Sequence, residues 1–263
     1  MIRPALPRWV AVPAALAAIF LAVPLVAMLA RVPWATLPAL LSTSASVDAL
    51  WLSLRTCLLT TAVSLVLGLP LALVLSRGRG RWAAIGRVLA TVPMVLPPVV
   101  AGLALLVALG RRAWLGGTLA SAGLDLAFTT TAVVVAQTFV AMPYLVVSVE
   151  GALRSAQGSY EVVAATLGAR PTTVLRRVTL PLVAPAVASG AALTFARALG
   201  EFGATLTFAG SLQGTTRTLP LEIYLQREVD TDTAIALSVV LIVAAALLVA
   251  ATARFARGTA AQP

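Results

Sequence analysis

The 263 residues are 60% hydrophobic and only 11% charged, with a mean hydropathy of +1.00. That is more apolar surface than one soluble core can hide, so composition assigns the chain to the bilayer. All 19 basic residues are arginine, His is absent and Cys57 is the single cysteine, which excludes an internal disulfide, Cys/His metal sites, Ser-His and Ser-Lys nucleophile pairs and a P-loop lysine.

A helix needs about 20 apolar residues to cross about 30 Å of hydrocarbon, and six stretches reach that length. The first, Trp9 to Ala30, follows Arg3 and Arg8. Its apolar run exceeds the roughly 7–15 residues of a secretory signal core and no small-x-small cleavage site follows, so it reads as a retained span. The second, Ala49 to Ser76, is interrupted only by Arg55. Val88 to Gly110 is the third, with Pro93, Pro97 and Pro98 predicting a bend, and Leu126 to Val149 is the fourth, with Pro143 inside it. The fifth, Val183 to Ala209, carries Arg197 and Glu201, and Ala234 to Thr252 is the sixth. The polar connections, Gly151 to Leu182 and Gly210 to Thr233, are too short for an independent soluble domain. The expected fold class is therefore an all-α polytopic membrane protein of about six transmembrane helices, a single domain over residues 1–263 with its core at 49–252.

Arginine sets the orientation, because cytoplasmic loops collect positive charge. With a cytoplasmic N-terminus, the inner segments hold Arg3, Arg8, the cluster Arg77 to Arg87, Arg154, Arg170, Arg176, Arg177, Arg254 and Arg257. The outer ones keep only Arg31, Arg111, Arg112, Arg217 and Arg227, diluted by most of the acids. Both termini are expected in the cytoplasm, and the net charge of +10 reads as topology plus attraction to anionic lipid heads rather than nucleic-acid binding.

The inner connection holds the least membrane-like stretch, "EVVAATLGARPTTVLRRVTLP", Glu161 to Pro181. Val163 and Leu167 are four apart, as are Val174 and Val178, which predicts two short amphipathic helices. Gly168 would separate them and Pro171 would open the second, with Arg176 and Arg177 near its end. Periodicity alone leaves two readings open, a solvated loop or a docking element for a cytoplasmic partner.

The spacing adds a resemblance. Gly168, nine residues, Val178, then Leu180 and Pro181, preceded by Glu161 and Ala164, is similar to the "EAA" loop of ABC importer permeases. Two departures are visible: Val163 stands where an alanine is usual, and Glu161 lies one residue early. Three further stretches, "LWLSLRTCLLTTAVSLVLGLPLALVLSR", "VPMVLPPVVAGLALLVALGRR" and "FARALGEFGATLTFAGSLQGTTRTLPLEIY", resemble the molybdate permease subunits of bacterial oxyanion importers. "LGEFGA" is shared there with sulfate and thiosulfate permeases, and "TRTLPLEIY" leans towards molybdate. The resemblance implies a type I ABC importer permease in the bacterial inner membrane. Two copies would form the pathway, a cytoplasmic ATPase dimer would dock on the loop and consume ATP and magnesium, and an extracytoplasmic binding protein would deliver and largely select the oxyanion. No cofactor or metal would be bound by this chain.

Arg197 and Glu201, four apart on one helix face, are costly inside a span. They read either as a mutually neutralising structural pair or as a gate on the pathway, with Gly200 and Gly203 allowing close helix approach at a dimer axis. Arg55 is placed either to draw a dianion into a vestibule or to snorkel to the interface. An ATPase-independent secondary transporter and a purely structural membrane protein remain as other classes. The first should carry its own midplane site, and the second needs no coupling loop.

Overall fold

In hydrocarbon every backbone N–H and C=O has to be satisfied within the chain, and helix is the only regular structure among the described residues. The computed structural model describes residues 7–123, 125–156 and 159–259. Arg3, used above for orientation, lies outside them. In chain order the helices are α1 (Ala11–Ala30), α2 (Leu37–Leu41), α3 (Ser44–Arg77), α4 (Arg81–Val95), α5 (Pro98–Leu109), α6 (Trp114–Ser121), α7 (Thr130–Ser155), α8 (Ser159–Thr166), α9 (Pro171–Val174), α10 (Leu180–Leu199), α11 (Gly203–Ala209), α12 (Leu219–Val229) and α13 (Thr231–Thr259). A π-helical turn, Leu175–Thr179, joins α9 to α10 without a break.

Five pieces are long and apolar enough to cross a membrane: α1, α3, α7, the run Pro171–Leu199, and Thr231–Ala251 of α13. The sixth expected span is the pair α4 and α5, bent by 118°. The bend falls at Pro97 and Pro98, where the prolines predict one, but it divides the span into two helices, and the first of them begins at Arg81 rather than Val88. Leu96 and Pro97 both precede a proline and both are extended, with ψ of 135° and 134°, because the following ring excludes the helical region. Pro93 and Pro143, by contrast, lie inside α4 and α7 without ending them.

The fifth span is also corrected at both ends. It begins at Pro171 rather than Val183, and it stops at Leu199 rather than running to Ala209. Gly200 to Phe202 leave the helix before α11 resumes.

The centre of the bundle is α7, the most buried of the spans. The face that α3 turns inward is built from small residues, Thr56, Cys57, Thr60, Ser64, Gly68 and Ala72. A Cβ added at Gly68 would lie 3.1 Å from Met142 Cγ, and one at Gly190 of α10 would lie 3.0 Å from Leu145 Cδ1. Small residues thus let α3 and α10 approach α7 closely, which is how helices gain packing where lipid removes the hydrophobic drive. By contrast α1 buries none of its side chains.

The half-helices α5 and α11 meet backbone to backbone. A Cβ on Gly102 would fall 2.7 Å from Thr207 Cβ and 2.8 Å from Ala204 O. Gly102→Val is therefore expected to force α5 off α11 and to destabilise the detergent-purified protein by about 1–3 kcal/mol, read as a lowered Tm. Gly151→Ala, at a helical position where an added Cβ meets nothing within 4 Å, should leave Tm unchanged or slightly raised.

Candidate functional site

The connection after α7 forms α8 and then reverses at Gly168, whose φ of +83° is a conformation that glycine tolerates and other residues resist. Pro171 opens the next helix, as the spacing predicts. That second helix is not short. It passes through the π turn into α10, so Arg176 and Arg177 sit mid-helix and exposed rather than at a helix end. The cause is Pro181, which has no N–H and whose ring would crowd the carbonyl of Arg177. A wider turn relieves the crowding, and Leu180 N–H donates to Leu175 O instead.

Four apolar side chains around α8, Tyr160, Val162, Val163 and Leu167, are exposed, with Leu167 at 82%. Together with Val178 and Pro181 several of them line an apolar groove of about 710 Å³. Of the candidate loop residues, Glu161, Ala164, Val178 and Leu180 are half-buried, while Gly168 and Pro181 are exposed.

Glu161 turns inward. Its Oε1 accepts from Thr179 Oγ1 at 2.5 Å and pairs with Arg77 Nη2, at the end of α3, at 3.3 Å. Beside it, Arg87 of α4 donates through Nε to Glu150 Oε1 of α7 at 2.5 Å and through Nη2 to Leu75 O and Gly78 O at 2.7 and 3.1 Å. These bonds close the last turn of α3 and hold the sharp entry to α4.

Along the same run, 20 residues further, lies the break between α10 and α11. Arg197 Nη1 meets Glu201 Oε2 at 2.6 Å, and Glu201 is 1% exposed. The other oxygen, Oε1, accepts the Ala204 N–H at 2.7 Å and so satisfies the first turn of α11. Gln137 of α7, buried to the same degree, donates through Nε2 to Ala198 O at 3.2 Å and accepts Thr60 Oγ1 of α3 at 3.0 Å. Three spans are thereby tied at the point where the helix ends.

The two glycines at the break differ in their surroundings. Gly203 makes its close approach within the chain, where an added Cβ would be 2.7 Å from Pro98 Cβ. Gly200 is exposed, and an added Cβ there would come no nearer than 3.9 Å to Ala196 O. Arg55 is exposed and its guanidinium stacks 5.9 Å from the Trp51 ring centre.

At the far end of α3 the 210–218 loop is fastened by Gln213 Nε2 to Asp48 Oδ2 at 3.0 Å, Thr130 Oγ1 to Thr215 O at 2.8 Å and Leu219 N–H to Ser53 Oγ at 2.7 Å. Arg217 pairs at 3.3 Å with Glu222, which is fully buried and also accepts from Gln226 Nε2 at 2.7 Å. Nearby Asp230 is held below the ordinary carboxylate range by the Thr233 hydroxyl and the Asp232 N–H. Among the described residues no cluster of three or more His, Cys, Asp or Glu is arranged to hold a metal ion.

Residues 64–258 match the family model of the binding-protein-dependent transport system inner membrane component. The chain belongs to that family. It is thus a multi-pass inner membrane protein, and its relatives in the family are permease proteins. The molybdenum transport system permease protein ModB of Mycobacterium tuberculosis is 59% identical over 93% of this chain and 92% of its own length. ModB of Escherichia coli is 39% identical over 67% of this chain and 78% of that protein, and the sulfate transport system permease protein CysW of Escherichia coli is 39% identical over 67% and 61%. A bacterial alginate ABC transporter, solved with an alginate pentasaccharide-bound periplasmic protein, shares the fold with a TM-score of 0.70 at 16% identity, over 97% of this chain and 96% of that one.

For this permease family member, the matched region contains both α8 and the α10 break. Gln137, Thr179, Glu150 and Glu222 are the polar residues that the sequence reading passes over. Only Gln137, a lone amide in an apolar run, carried a signal strong enough to find. Gln137→Leu leaves Ala198 O and Thr60 Oγ1 without this partner, so we expect a loss of about 1–3 kcal/mol in reversible unfolding from mixed micelles, against no loss for Gln213→Leu in the exposed loop.

Proposed function

We propose that this chain is the membrane-spanning subunit of an ATP-driven importer for molybdate, with tungstate as a near-isosteric mimic. The observation that carries the reading is α8, a helix outside every span that leaves Tyr160, Val162, Val163 and Leu167 uncovered. Such a face calls for a partner. The chain lacks a P-loop lysine, so that partner supplies the ATP hydrolysis, with magnesium. The fuller match to ModB than to CysW favours molybdate over sulfate.

In this reading residues 1–263 are one transmembrane domain with core 49–252, residues 151–182 are the coupling loop, and both termini are cytoplasmic. Two copies line the pathway, one subunit of an ATPase dimer docks on the exposed face of the Glu161 to Pro181 loop of each, and a binding protein delivers the oxyanion from outside. Arg197 and Glu201 act as a gate rather than a ligand, because a buried carboxylate beside the arginine offsets the charge a dianion would seek. Gly200 and Gly203 give the break its freedom and its contact with α5. Arg55 serves as an interfacial anchor at the pathway's outer rim.

Leu167→Asp is expected to weaken ATPase docking about 10- to 100-fold, the scale of losing one buried leucine, with membrane insertion intact. Co-purification of a co-expressed ABC ATPase measures it. In liposomes, binding protein loaded with molybdate or tungstate should stimulate ATP hydrolysis severalfold over the sulfate-loaded form. Equal stimulation by sulfate would sink the molybdate assignment.

A further inference from the structure

Within residues 160–166 only Glu161 and Ala164 are not exposed, so apolar burial does little to hold α8 on the bundle. The polar contacts of Glu161 do more. One carboxylate reaches two spans: Thr179, the last residue of the π turn, and Arg77, the last residue of α3. Thr179 is 1% exposed, so its hydroxyl depends mainly on protein partners. The same hydroxyl lies 3.5 Å from Val174 O, a carbonyl of the widened turn.

A π turn carries one residue more than an α-helix needs. Removing or shifting it rotates the helix on its N-terminal side by about 100° relative to the rest. The bond from Thr179 to Glu161 is made in one of these registers and is lost on such a rotation. It therefore reports the position of α8 to the turn.

From this we infer that Glu161 and Thr179 form a latch through which displacement of α8 is passed to α10, with Arg77 as the positioning residue that orients the carboxylate. The inference rests on the importer reading and concerns how the docked ATPase moves the span. It assigns Thr179 and Arg77 roles in coupling, whereas the apolar face of α8 serves docking.

The test uses the complex of the full chain with its co-expressed ATPase in liposomes and molybdate-loaded binding protein. Three quantities are read: ATPase bound per permease, ATP hydrolysed, and radiolabelled molybdate taken up. Thr179→Val should keep docking and hydrolysis while uptake per ATP falls about tenfold, the scale of one charge-assisted hydrogen bond. Thr179→Ser, which retains the hydroxyl, should restore it. Arg77→Gln should give an intermediate loss, and Glu161→Ala combined with Thr179→Val should be no worse than either alone.

Unchanged uptake per ATP in Thr179→Val, failure of Thr179→Ser to rescue, or additive losses would each overturn the latch. Loss of bound ATPase in Thr179→Val would overturn it too, and would make the contact a clamp on α8. If the unaltered chain binds no ATPase and shows no ATP-dependent uptake, the importer reading falls as well, and that outcome is separate from a normal parent with normal variants.

Discussion

A broken helix inside a bilayer exposes carbonyls and N–H groups that lipid cannot satisfy, each at a cost of several kcal/mol. The fold accepts two such breaks, between α4 and α5 and between α10 and α11, and its polar side chains are placed where those breaks release backbone groups. At the second break Gln137 takes Ala198 O and Glu201 takes the Ala204 N–H, and at the turn from α3 to α4 Arg87 takes Leu75 O and Gly78 O in the same way. The few charges that the apolar bundle carries internally are thus largely spent on the main chain. Arg197 in turn keeps Glu201 from standing as an isolated buried charge.

These polar contacts require short distances, and the small residues on the α3 face supply them. Thr60 can reach Gln137 because Cys57, Ser64 and Gly68 keep α3 near α7. Likewise α11 can rest on α5 because Gly102 and Gly203 remove the side chains that would separate them. Packing and hydrogen bonding are one problem here, since widening either helix pair breaks the polar contacts that the break depends on.

Much of this was legible in the sequence, because length and hydropathy alone count spans when the solvent is hydrocarbon. Gly168 and Pro171 also declared their turn, as the strongest local punctuators do. The break after Leu199 was not legible, nor was the sharpness of the bend that Pro97 and Pro98 predicted. A window of hydropathy reads Val88 to Gly110 as continuous, since Leu96 and Pro97 are apolar whether or not they are helical. The same blindness extended the fifth span to Ala209. There the signal was polar, and Arg197 with Glu201 read either as a structural pair or as a gate, while the bond of Glu201 to Ala204 N–H was not legible. Glu222 was passed over for the opposite reason: it sits in a polar connection, and only the folded loop brings Arg217 and Gln226 around it.

The two ends of α10 gain meaning from being on one rod. Its 20 residues span about 30 Å as an α-helix, and no break interrupts them between the π turn and Leu199. Pro185 lies inside that rod, but the close contact of Gly190 with Leu145 keeps it against α7. In the proposed latch a displacement taken up at Thr179 is passed along this rod to Ala198, where Gln137 and the Arg197–Glu201 pair hold the break. Those contacts are few and discrete, so they are made or lost rather than stretched. An element with two positions at one end and a bond-counted junction at the other is what coupling between distant sites requires. In the proposed coupling both ends belong to one helix, so a single rod joins Thr179 to the Arg197–Glu201 pair about a bilayer away.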